Sequence, residues 1–201
     1  MSKKKNLNIK EILTLALQNH QKNNFEIAKQ HYEKILSIDP RHFESIFLLG
    51  TLSAQTKNLD LAKQLLQKAI QINPNYAEAH NNLGNVLIEL KESEKAKSCY
   101  TKAIQIQPNH ADAYYNYGNV LKSFEQYEEA INNYKKVIQI NPNHVNAHNN
   151  LGVALKGLGE YQNAINCYKK AIKVQPNNTI AYYNLGLAFR ELDDFKNAIN
   201  F

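Results

Sequence analysis

The chain has 201 residues, 43% of them hydrophobic and 21% charged, with a formal net charge of +6 and a mean hydropathy of −0.54. That hydrophobic content excludes a wholly disordered chain, and the hydropathy excludes a membrane protein. Two cysteines are too few for a disulfide framework, so a cytoplasmic protein is expected.

Residues 1–8 read as a basic, flexible tail in which Lys3, Lys4 and Lys5 are solvated. From Ile9 to Leu17 the apolar residues alternate with Lys10, Glu11 and Thr14, so neither a signal peptide nor a membrane span fits. The longest apolar stretch, around Ile46 to Leu52, is too short to cross a bilayer. From residue 9 onward the chain repeats. Its five prolines, Pro40, Pro74, Pro108, Pro142 and Pro176, stand 34 residues apart, and Gly50, Gly84, Gly118, Gly152 and Gly186 keep the same interval. Ala28, Ala62, Ala96, Ala130, Ala164 and Ala198 do so as well. Such a period means a stacked array of helical hairpins.

With proline at position 32, the repeats run 9–42, 43–76, 77–110, 111–144, 145–178 and an incomplete 179–201. The first departs most, with Ala16 in place of the glycine, Asn19 at position 11 and Ile35 at position 27, as expected of a cap. The chain stops at Phe201, position 23 of the sixth repeat, where the Tyr182, Leu185 and Phe189 stripe should lose most of its cover. A fragment of a longer protein is the expectation.

The third repeat reads His80, Leu83, Gly84, Leu87, Ala96, Tyr100, Ala103, Pro108, and the fourth Tyr114, Tyr117, Gly118, Leu121, Ala130, Tyr134, Val137, Pro142. Bulky residues at 4, 7, 11 and 24, with small ones at 8, 20 and 27, resemble the tetratricopeptide repeat (TPR) family over nearly the whole chain. The resemblance implies an all-α protein, a right-handed superhelix of stacked antiparallel helix pairs whose first helices line the concave face.

The physical chemistry agrees. Positions 4, 7, 8 and 11 form one stripe of a helix and positions 20, 24, 27 and 28 another. Small residues at 8 and 20 let the two helices approach closely. The proline ends the second helix, because the residue before it is pushed out of the helical region. Asn75 with Glu78, and Asn109 with Asp112, are expected to cap the next helix. Repeats 3 and 5 share His-Asn-Asn-Leu-Gly and Cys-Tyr, which suggests a 68-residue duplication. It makes Cys99 and Cys167 equivalent positions two repeats apart, at least roughly 16 Å from one another. A disulfide needs Cα atoms within about 7 Å, so free thiols are expected.

Positions 2, 6, 9 and 13 point away from the packing stripe of the first helix and form the expected groove. Position 6 reads Thr14, Leu48, Asn82, Asn116, Asn150, Asn184. An asparagine amide offers both donor and acceptor to a bound backbone. First helices about 10 Å apart match about three extended residues each, so four asparagines would hold an extended peptide largely without regard to its side chains. This series is similar to the asparagine ladder in the TPR superhelix of O-linked N-acetylglucosamine transferases. Around it lie Glu44, Glu78 and Asp112 at position 2, Asn85 and Asn119 at position 9, Glu89 at 13, and Tyr115 and Tyr183 at position 5. Val153 and Leu187 replace the position-9 asparagines further on, and Lys122, Lys156 and Arg190 lie nearer the edge.

TPR domains that clamp the acidic C-terminal tails of heat-shock chaperones need lysine at position 5, which here is Leu13, Phe47, Asn81, Tyr115, Asn149 and Tyr183. Those tails are not expected partners. Helical-hairpin readers of RNA need a basic groove, and this one is acidic to neutral, so nucleic acid is not expected either. His144 and His148 have a metal-ligand spacing but fall at positions 34 and 4, where packing histidines and tyrosines stand in other repeats. Neither metal, cofactor nor catalytic group is expected. The sequence points to a non-catalytic protein-interaction scaffold that binds an extended peptide. The alternative is the substrate-recruiting arm of a larger O-linked glycosyltransferase.

Overall fold

The computed structural model describes residues 8–192. They form eleven α-helices and no strand. Residues 1–7 of the basic tail, and residues 193–201 where a further second helix is expected, lie outside the described residues. The chain divides into two compact units, Met1–Ile106 and Gln107–Phe201.

In the first unit α1 (Ile9–Gln21) pairs with α2 (Phe25–Ile38), α3 (Phe43–Gln55) with α4 (Leu59–Ile72), and α5 (Ala77–Glu89) with α6 (Ser93–Ile106). Two of the second helices also pack on the next first helix, α2 on α3 and α4 on α5. In the second unit α7 (Ala111–Ser123) pairs with α8 (Tyr127–Ile140) and α9 (Val145–Gly157) with α10 (Tyr161–Val174); α8 packs on α9, and α10 on α11 (Thr179–Glu191). The fold is all-α, built of stacked antiparallel helix pairs.

The 34-residue period works through contacts within each pair. Ala62, Ala96, Ala130 and Ala164 at position 20 are fully buried, as are Leu66, Tyr134 and Tyr168 at position 24, with Tyr100 nearly so. The glycine at position 8 makes room for that large residue. A Cβ on Gly84 would fall 2.6 Å from the Tyr100 ring, and one on Gly152 would fall 2.5 Å from the Tyr168 ring. Helix axes come this close only because one wall has no side chain.

The first helices are buried more widely than the sequence stripe implies. Position 3 (Ser45, Ala79, Ala113, Ala147, Ala181) and position 10 (Leu52, Val86, Val120, Ala154, Ala188) are also buried. Within the units α3, α5 and α9 each touch their own partner and the preceding second helix, so two faces are covered. Leu185 and Phe189, expected to lose most of their cover, are buried in one core cluster with Leu151, Leu155, Ile165 and Tyr168, because α11 packs on α10 and reaches α9.

The caps sit one residue later than expected. The N-caps of α5 and α7 are Tyr76 and His110, where the sequence pointed to Asn75 and Asn109. The reason is the turn after each second helix. The position-31 side chain accepts from the position-33 backbone N–H: Asp39 from Arg41 at 3.0 Å, Asn73 from Asn75 at 3.3 Å, Asn141 from Asn143 at 3.2 Å. The position-34 N–H then bonds the position-31 carbonyl, as in His144 to Asn141 at 3.1 Å. The chain is free to start a helix only from position 34. There the imidazole Nδ1 of His42, His110 and His144, and Oδ1 of Asn178, accept from the N–H three residues on. Asn8 opens α1 with a full capping box to Glu11.

The turn inside each pair is equally regular. Asn23, Lys57, Lys91, Glu125 and Gly159 all occupy position 15 and all have positive φ, between 57° and 76°. Gly159 alone among these five is glycine.

Candidate functional site

Position 6 stays half-buried in Leu48, Asn82, Asn116, Asn150 and Asn184, and positions 2 and 13 are mostly exposed. The face expected to bind is therefore open to solvent in both units. Its asparagines, however, are tied into the fold through hydrogen bonds that sequence periodicity does not reveal.

In the first unit, Asn82 accepts through Oδ1 from the amide of the buried Asn81 at 3.4 Å. Asn85 accepts from the Tyr100 hydroxyl at 2.9 Å, so this groove residue also satisfies a core donor. Glu89 pairs with Lys57 from the preceding inner turn at 2.7 Å, which neutralises part of the acidic character expected there. Towards the N-terminus the face turns apolar. A cavity of about 440 Å³ is lined by Leu17, Phe25 and Leu48 beside His20 and Gln55. His20 donates from Nε2 to Gln55 at 2.8 Å and accepts at Nδ1 from the Tyr32 hydroxyl at 3.1 Å, joining three helices.

The second unit brings Tyr115, Asn119 and Asn150 into one network. Asn150 donates from Nδ2 to the Asn119 Oδ1 at 2.9 Å and to the Tyr115 hydroxyl at 3.2 Å. Asn119 also accepts from the Tyr134 hydroxyl at 2.8 Å. The Tyr115 ring lies 5.0 Å from His144 and 6.1 Å from Tyr134, centroid to centroid. Burial pushes the Tyr134 phenol above its ordinary range, so it remains a donor. One repeat on, Asn184 donates to Asn149 at 3.0 Å. Asn116 is half-buried on the same face of α7, and Asp112 is exposed one turn before it. Tyr183 stands 66% exposed, outside the network. Lys122 at the edge is buried enough to lower its ammonium below the usual lysine range.

The two histidines with metal-like spacing have other work. His148 is buried and donates from Nε2 to the Pro142 carbonyl at 2.8 Å, while His144 caps α9. His80 repeats the first contact to Pro74 at 2.9 Å. Among the described residues no group of three or more His, Cys, Asp or Glu comes together to hold a metal, and no helix is long and apolar enough to cross a membrane. The thiols of Cys99 and Cys167 are unbridged.

Helix pairs repeated every 34 residues, each presenting one open face of its first helix, define an α-helical repeat array. The pattern described as TPR repeat matches residues 50–91, 118–159 and 156–193, and related tetratricopeptide repeat patterns match 13–42, 77–110 and 99–132. The chain belongs to the tetratricopeptide repeat family. Among solved structures it is similar to the MamA protein, at 28% identity and a TM-score of 0.74, covering 84% of this chain and 92% of that one. It also shares its fold with Pseudomonas aeruginosa pilF (23% identity, TM-score 0.84, 96% and 87% covered). A third is YrrB, described as a TPR protein with an unusual peptide-binding site (23% identity, TM-score 0.72, 87% and 90% covered). No curated protein matches the chain.

Proposed function

We propose that the chain is a non-catalytic protein-interaction scaffold, made of the 34-residue repeats bounded above, that holds an extended peptide along its first helices. In the second unit the contacts are Asn116, Asn150 and Asn184, flanked by Asn119, Asp112, Tyr115 and Tyr183. Asn82, with Glu78 and Asn85 beside it, offers the same chemistry in the first. The observation that carries the reading is the Asn150 amide, whose nitrogen is held by Asn119 and Tyr115 on the solvent-accessible face. Its Oδ1 is thereby oriented to accept from the N–H of an extended backbone, and little side-chain entropy is left to lose on binding. A family fold shared with a protein described as having a peptide-binding site supports the same conclusion.

The recruiting arm of an O-linked glycosyltransferase would use this face in the same way; the scaffold reading needs nothing beyond the face itself. A cytoplasmic setting, with neither nucleic acid nor chaperone tails as ligand, completes the proposal. To test it, Asn116, Asn150 and Asn184 are replaced together by alanine in the full chain, and partner capture is compared with wild type. Loss of capture with unchanged helicity is expected. Equal capture by the folded variant would sink the ladder.

A further inference from the structure

The second helices carry a feature the groove does not use. Position 26 is lysine in five successive repeats, Lys34, Lys68, Lys102, Lys136 and Lys170, and all five are exposed. In the first unit neighbouring lysines find partners: Lys57 pairs with Glu89, Lys63 and Lys95 with Glu92, and Lys97 with Glu94, all within 2.7 Å, while Lys68 donates to the Pro40 carbonyl at 3.0 Å. In the second unit Lys136 reaches, among the described residues, only the neutral Gln139, to which it donates at 3.2 Å. Helix α10, from Tyr161 to Val174, contains no carboxylate at all. Lys170 and Lys173 there rim a cleft of about 520 Å³ whose wall includes Ile138, Pro142 and the buried His148. One repeat earlier, Lys135 and Lys136 rim a second cleft of about 370 Å³ against Tyr114. Cys167 is half-buried on α10, three residues before Lys170; burial raises its thiol, and the Lys170 and Lys135 charges oppose that rise.

We propose that this second-helix face of the second unit binds an acidic peptide segment in extended conformation, on the side away from the asparagines. Repeats about 10 Å apart match every third residue of an extended chain at about 3.3 Å each, so carboxylates spaced three apart enter successive clefts. The clefts are recessed and partly apolar. A carboxylate side chain with apolar neighbours can enter them, whereas a flat anionic bilayer or a nucleic-acid backbone reaches only the lysine rims.

The probe is a fluorescein-labelled nonapeptide with glutamate at every third position and leucine and serine between, added to the full chain and followed by anisotropy. Saturable binding is expected, weakened by salt and reduced about tenfold in the triple variant Lys136→Gln, Lys170→Gln, Lys173→Gln. The Asn116, Asn150, Asn184 alanine variant should keep the salt-sensitive, lysine-dependent part of the binding, which separates this face from the ladder. The bound peptide should also slow alkylation of Cys167 and leave Cys99 unchanged. Three results would each overturn the proposal: no saturable binding, binding indifferent to the three lysines, or preference for phosphatidylserine vesicles or a single-stranded oligonucleotide over the peptide.

Discussion

Tyr100, Tyr134 and Tyr168, three of the four buried tyrosines at position 24, differ by a single hydrogen bond, which allows a test without a cavity. The Tyr100 hydroxyl donates to Asn85 and the Tyr134 hydroxyl to Asn119, whereas the buried Tyr168 hydroxyl has no partner among the described residues. Val153 stands in the fifth repeat where asparagine stands in the third and fourth. Replacing each tyrosine by phenylalanine removes one oxygen and leaves the ring in place. At Tyr134 the lost bond should cost about 1 kcal/mol. At Tyr168 the change removes a buried, unpaired hydroxyl whose burial costs roughly 1–3 kcal/mol, so the variant should be neutral or more stable. Urea unfolding of the full chain, followed by far-UV circular dichroism, measures both midpoints, and an unchanged slope shows that the midpoints report stability. A 1 kcal/mol difference also moves the melting temperature by about 2–4 °C in a protein of this size. If Tyr168→Phe loses as much stability as Tyr134→Phe, the argument from the Val153 exchange fails.

Three further outcomes follow from the same geometry. Gly84→Ala would set a methyl 2.6 Å from the Tyr100 ring, and overpacking should lower stability by roughly 1–3 kcal/mol in urea unfolding. Glu125→Gly should raise stability by about 1 kcal/mol, because Glu125 holds φ at 57°, a left-handed conformation costly for any residue with a Cβ; the companion turn already has Gly159 at 76°. Burial pushes the Cys99 thiol up to about 11, so it stays protonated at pH 8 and should alkylate far more slowly than free cysteine, its rate still rising towards pH 11. A rate that levels off by pH 9 would show that the thiol is not buried as described.

The repeat itself was legible because it is local and redundant. A proline, a glycine and an alanine at constant spacing each mark one helix boundary or close approach, and five or six copies of each make the period plain. The cap positions were misjudged by one residue because Asn75 and Asn109 resemble caps in isolation. Only the turn shows that the position-33 backbone N–H is already engaged where Asn73 or Asn141 stands at position 31, and that position 34 opens the helix. The face carrying Asn82, Asn116, Asn150 and Asn184 was legible from helical periodicity. The pairing of Asn150 with Tyr115 and Asn119 was not, since these partners stand 35 and 31 residues away, on a different helix.

The sequence by itself determined that each complete repeat is a helix pair, the stripe of each helix at the centre of its buried side and the face left to solvent, but not the burial of positions 3 and 10 on the first helices. The pair, the stripe and the face follow from spacing along one chain, where 3.6 residues per turn leaves little choice. The tertiary structure decided how the polar groups on those faces are shared. It made Asn85 and Asn119 acceptors for core tyrosines, left Tyr168 without one among the described residues, paired Lys57, Lys63, Lys95 and Lys97 of the first unit with carboxylates and set Lys135, Lys136, Lys170 and Lys173 around two clefts. A hydrogen bond or ion pair depends on distances of about 3 Å between side chains of different helices, and no period along the chain specifies them.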